Sequence, residues 1–142
     1  MLVEDVMETD IVTVPTEGTL RDAVEQMLEH RVGSVIVTEG GDPTGIVTET
    51  DALHAGYVSG EPFDGIDVAT VMSQPLVTTE PTRAVRSAVQ RMSDEQVKKL
   101  PVLDGLDIVG IVTMTDITRH FGDIVREIHN IEQQRDSRAD GW

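Results

Sequence analysis

The spacing of apolar and polar residues along this chain changes period several times, and each change marks an element. Ile11-Val12-Thr13-Val14 is rich in β-forming residues and ends at Pro15, which predicts a short strand. Leu20, Ala23, Val24, Met27 and Leu28 then fall on one face of a 3.6-residue repeat and predict an amphipathic helix. Thr19 and Asp22 stand where a capping pair would open it. Ser34-Val35-Ile36-Val37 and Gly45-Ile46-Val47-Thr48 predict two strands around the turn formers Gly40-Gly41-Asp42-Pro43, and a short helix begins near Thr50. The same order then returns. Val85, Ala88, Val89 and Met92 form a second stripe. Leu100-Pro101-Val102-Leu103 and Gly110-Ile111-Val112-Thr113 form a second strand pair around Asp104-Gly105-Leu106-Asp107, with a helix from near Thr115.

The recurrence is a sequence repeat. Shifted by 65 residues, positions 6–53 align with 71–118 without a gap and share 18 identities in 48 pairs, where chance gives roughly 3. The expected fold is therefore mixed α/β, two β-α-β-β-α units related by a pseudo-twofold axis. The first spans 1–58 and the second 67–122, joined by a Gly/Pro/acid linker at 59–66. Phe121, Ile124, Val125, Ile128 and Ile131 fall at helical spacing and predict an additional C-terminal helix within 123–142. Its stripe either folds back on its own core or meets another subunit. The polar tail from Gln133 to Trp142 is expected to fray, with Trp142 exposed.

Charge narrows the function classes. The chain carries 26 acidic and 11 basic side chains, net −15 at pH 7, which disfavours nucleic-acid and anionic-membrane partners. No run is long and apolar enough to cross a membrane, and acid stands where a secretory signal carries base, so the expected location is the cytoplasm. Cysteine is absent, which removes disulfides and thiolate chemistry. The only lysines are Lys98 and Lys99, and an acid-rich, lysine-poor surface fits a halophilic source.

The segments Gly45-Ile46-Val47-Thr48-Glu49-Thr50-Asp51 and Gly110-Ile111-Val112-Thr113-Met114-Thr115-Asp116 occupy matching places in the repeats. Together with the Val-Met…Val-Thr openings at 6–13 and 71–78 and Lys98-Lys99-Leu100-Pro101-Val102, they make the chain resemble the CBS domain family over about residues 1–122. The resemblance implies that the two motifs pack into one Bateman module. It also implies two clefts between the repeats that take adenine nucleotides or S-adenosylmethionine, no required cofactor, and a disc-like homodimer. A regulated partner protein, of unknown identity, would read the bound state.

Residue by residue, two readings stand side by side. Asp51 and Asp116 lie in the first turn of a helix after Thr48 and Thr113. They can serve simply as favourable helix-start acids, or accept ribose hydroxyls as the matching family position does. Lys98 and Lys99 can discourage pairing at a strand edge. The resemblance instead implies that they meet ligand phosphates, and Arg119 and His120, three and four residues after Asp116, are further candidate phosphate partners. Repeat one has Gly33-Ser34 where repeat two has the lysines, so the clefts cannot be chemically equal. An apolar adenine slot draws on Thr13 and Val14, Thr78 and Thr79, Val35 and Ile36, and Leu100 and Pro101. Gly45 and Gly110 fit a tight turn or a close backbone approach. The four histidines have no zinc-ligand spacing, and hydrolase, phosphate-loop and dinucleotide motifs are absent. The expected function is a non-enzymatic regulatory sensor of an adenosine-containing ligand. The alternatives are a ligand-free dimerisation module and a divalent-cation sensor.

Overall fold

The computed structural model describes residues 1–139. After a short helix α1 (Val3–Val6), the first repeat builds β1 (Thr13–Pro15), α2 (Leu20–His30), β2 (Ser34–Glu39), β3 (Asp42–Thr48) and α3 (Glu49–Ser59). Its sheet has the order β1-β2-β3, with β1 parallel to β2 and β2 antiparallel to β3. Thr19 caps α2 as expected: its hydroxyl accepts the Asp22 amide at 3.3 Å while the Asp22 carboxylate accepts the Thr19 amide at 2.8 Å. The turn is confined to Gly40 and Gly41, whose φ values of +59° and +88° suit a two-residue hairpin. The third strand therefore begins at Asp42 rather than Gly45.

The second repeat places α4 (Val68–Val71), α5 (Val85–Glu95), β4 (Lys99–Asp104), β5 (Asp107–Thr113) and α6 (Met114–Arg119) in the same order. Its first strand shrinks to Thr79, which pairs with β4 through Thr79 N–H to Pro101 O (3.0 Å) and Leu103 N–H to Thr79 O (2.9 Å). Proline explains the loss. In repeat one, β1 is extended at its ends by Ile36 N–H to Val12 O and Thr16 N–H to Thr38 O. The corresponding residues are Pro101 and Pro81, which have no N–H to donate.

The repeats exchange their leading segments. Val3 and Val6 of α1 are buried in the core of repeat two, with Val85, Ala88, Met92, Leu100, Val102 and Val112. Val68 of α4 is buried in the core of repeat one, with Leu20, Ala23, Met27, Val35 and Val47. Each crossing segment docks on the opposite third strand. Glu8 and Ile111 exchange two backbone hydrogen bonds, at 2.8 and 2.9 Å, and Ile46 and Ser73 do the same at 3.2 and 2.9 Å. The glycines make this possible. A Cβ on Gly110 would lie 2.8 Å from Glu8 O and 2.7 Å from the Met7 sulfur, and one on Gly45 would meet Ser73 O and the Met72 sulfur.

Two expectations need correction, on Leu28 and on the extent of the C-terminal helix. Leu28 belongs to the α2 stripe but is 74% exposed, because Leu20, Ala23 and Met27 already fill the inner face. Within the segment read as a linker, α3 runs through Ser59, and Phe63, in a single helical turn at Phe63–Gly65, packs on the first core and against Gly56. The C-terminal helix α7 (Phe121–Ala139) starts at the first residue of its stripe and runs further than expected, taking in most of the tail from Gln133, where no Gly or Pro intervenes before Gly141. Only Ile124 of its stripe packs on the second core, while Phe121, Val125, Ile128 and Ile131 stay exposed. Trp142 lies outside the described residues.

Candidate functional site

The exchange brings the end of each third strand against the other repeat and opens two clefts there. One, of about 350 Å³, has Asp116, Thr113 and Arg119 on one side and Ile11, Val12 and Ile36 on the other. The other, of about 400 Å³, places Thr48 and Asp51 opposite Val97 and Lys98, with Ile46 and Ser73 beneath. Gly33, Glu49 and Lys99 border both.

Both aspartates close a capping box, so the helix-start role predicted for them holds. The Thr48 amide donates to Asp51 Oδ2 at 2.9 Å, and the Asp51 amide donates to the Thr48 hydroxyl at 3.2 Å. In the second repeat the Thr113 amide (2.9 Å) and hydroxyl (3.0 Å) both donate to Asp116 Oδ2, and the Asp116 amide returns a bond to Thr113 Oγ1 at 3.1 Å. Asp116 is almost fully buried. The Thr19–Asp22 pair makes the same box and borders neither cleft. Capping therefore explains the Thr-x-x-Asp spacing, and only the position between the repeats sets Asp51 and Asp116 apart.

Lys99 occupies the junction of the clefts. Its ammonium donates to Gly33 O at 3.0 Å, and a Cβ on Gly33 would crowd both that ammonium and Glu49 Oε1. Burial pushes the Lys99 pKa below its ordinary value of 10.5, opposed by the nearby carboxylates of Glu49, Asp116 and Asp51. Lys98, one residue earlier, is exposed and borders the Asp51 cleft alone. Arg119 Nη1 is bonded to Glu8 at 3.1 Å and stands 3.8 Å from Asp116 Oδ1. His120 ends α6, faces Asp123 at 3.9 Å and borders neither cleft.

Most of the residues named for an adenine slot lie elsewhere. Val14 and Val35 are in the first core and Leu100 in the second, Pro101 is fully buried, and Thr13 is exposed. Thr78 and Thr79 border a separate groove along α5, beside Arg83 and Ser87. Strand alternation accounts for this. Val35 and Val37 point to the helices and Ile36 to the opposite face, where it joins the Asp116 cleft. The apolar wall of that cleft is set by Ile11 and Val12, at the entry to β1. Glu8, Asp10 and Glu49 also face the clefts. No sequence signal separates them from the other surface acids of so acidic a chain. Among the described residues no group of three or more His, Asp or Glu is placed to hold a metal ion, and no helix is long and apolar enough to cross a membrane.

Known proteins share this fold. The chain is 37% identical over 117 residues to an uncharacterized protein of Methanopyrus kandleri, covering 81% of this chain and 60% of that protein, so it spans less than two thirds of that relative. Among solved structures it superposes on a hexameric CBS-CP12 protein from bloom-forming cyanobacteria with TM-score 0.80, 27% identity, and coverage of 98% of this chain and 85% of the other. It shares the fold of the CBS domain pair of protein MJ0100, solved with 5′-methylthioadenosine and S-adenosyl-L-methionine. There the TM-score is 0.76, the identity 24%, and the coverage 87% of this chain and 97% of the other. The family model for the CBS domain matches twice, at residues 3–57 and 68–123, and with two such motifs exchanging their leading segments across a pair of clefts, the chain belongs to the CBS domain family.

Proposed function

We propose that this CBS pair is a regulatory sensor, not an enzyme, and that it binds an adenosine-containing ligand in one or both clefts between its repeats. The observation that carries this reading is the paired placement of Asp51 and Asp116. Each cap uses carboxylate oxygen Oδ2, which leaves Oδ1 as the candidate acceptor for a ribose hydroxyl, although in the almost fully buried Asp116 that oxygen has Arg119 at 3.8 Å. The ligands named for the MJ0100 domain pair, both adenosine derivatives, support the same chemistry here. A thermal-shift screen with AMP, ADP, ATP, S-adenosylmethionine and Mg²⁺ tests it. A ligand at 100 times its dissociation constant raises stability by about 2.7 kcal/mol. No shift with any adenosine compound rejects the reading, and a shift with Mg²⁺ alone favours a cation sensor.

The unit that senses is an oligomer, in the simplest case a homodimer. The exposed apolar residues Phe121, Val125, Ile128 and Ile131 of α7, and Leu28, Leu53 and Tyr57 of α2 and α3, supply the surface for it. That the CBS-CP12 protein is hexameric supports assembly as such.

A further inference from the structure

We propose that the two clefts sort adenosine ligands by charge, the Asp51 cleft taking a phosphorylated nucleoside and the Asp116 cleft an uncharged or cationic one. This rests on the adenosine reading above and adds which chemistry each cleft selects. The repeats are nearly symmetric in backbone but not in charge where they meet. Lys98 and Lys99 stand where repeat one has Gly33 and Ser34, and Glu49 stands where repeat two has Met114. Around the Asp51 cleft the ionisable side chains are Glu49 and Asp51 against Lys98 and Lys99. Lys98, just before β4, borders this cleft alone and enters no ion pair among the described residues, whereas Lys99 is bonded to Gly33 O and shared with the other cleft. A phosphate entering there meets a free cation.

The Asp116 cleft is acid-rich where the Asp51 cleft is balanced. Glu8, Asp10, Glu49 and Asp116 face only Lys99 and Arg119. Arg119 is already taken by Glu8, and Lys99 is tethered to Gly33 O. A phosphate would have to displace a carboxylate from Arg119 and sit among like charges, while a sulfonium or a neutral thioether meets attraction or no penalty. The apolar wall of Ile11, Val12 and Ile36 still accepts an adenine face.

Calorimetric titration of the full chain with AMP and, separately, S-adenosylmethionine decides it, at the lowest salt that keeps the protein folded. The expected result is that each ligand binds with nearly unchanged affinity after saturation with the other. Lys98→Gln and Asp51→Asn should weaken AMP, the latter on the order of tenfold or more, and leave S-adenosylmethionine within about twofold. Asp116→Asn should do the opposite. Lys98 is exposed and caps no helix, so its variant keeps the test decisive should either aspartate variant fail to fold. Competition between the two ligands for one cleft, or AMP binding insensitive to Lys98→Gln, overturns the sorting while leaving the adenosine reading intact. If neither ligand binds the parent chain, both fall.

Discussion

At Gly45 and Gly110 a single methyl group decides whether the two repeats can join. The backbone of the crossing segment lies so near that a Cβ at Gly110 would stand 2.8 Å from a carbonyl oxygen, which cannot move as a side-chain tip can. Gly110→Ala is expected to destabilise the fold by about 1–3 kcal/mol, as overpacking does, in urea unfolding. Gly60→Ala, which would meet no atom within 4 Å but has φ of +66°, should cost about 1 kcal/mol from backbone strain alone. Lys99 carries the second prediction at this scale. Its pKa is depressed in the fold by burial, so between that depressed value and 10.5 the unfolded chain binds the proton and the folded chain does not. Stability contributed at this position is therefore lowest below that window and rises with pH through it. Subtracting the alkaline unfolding profile of Lys99→Met from that of the parent should show this rise, and a flat difference would contradict it.

Among the elements, the consequential ones are the four-residue helices α1 and α4. Each is too short to stand alone and is held by the core of the other repeat. Val3→Ala, at a fully buried position, should cost about 1.5–3 kcal/mol. The expected signature is regional. Amide exchange should accelerate first in α5, β4 and β5, some 80 residues along the chain, whereas Val68→Ala should loosen α2, β2 and β3. Loss of protection confined to each variant's own repeat would show that the exchange is not made in solution. The prolines act at the same scale. Pro81 and Pro101 shorten the first strand of repeat two to a single bridge, an asymmetry that the gapless alignment of the repeats hides.

For the whole molecule, charge and exposed apolar surface pull in opposite directions. A net charge of −15 repels itself, so the melting temperature should rise as salt is added from low ionic strength, through screening. The apolar stripe of α7 should instead hold subunits together. Ile128→Glu leaves both cores untouched and is expected to reduce the mass measured by light scattering to that of the 15.5 kDa chain. An unchanged mass would remove α7 from the interface.

The periodicities, the 65-residue repeat and the two Thr-x-x-Asp segments were enough to establish the doubled fold, most of its element order and the helices that carry Asp51 and Asp116, but not α1, α4 or the loss of the first strand of repeat two. The former are local matters: a stripe, a turn or a cap is specified within a few residues. Which repeat each leading segment completes was not legible, because Val3 and Val68 would be equally apolar in either core. Nor was the placement of the lysines, since a residue at a strand edge shows in sequence neither what lies across the cleft nor that Gly33 O waits 3.0 Å from Lys99. The adenine slot slipped for a related reason. Alternation says that neighbouring strand residues face opposite ways, but not which face is core. That choice, which keeps Ile36 in the cleft but puts Ile11 and Val12 there in place of Val14 and Val35, is made only when helices cover one side of the sheet and leave the other to the second repeat.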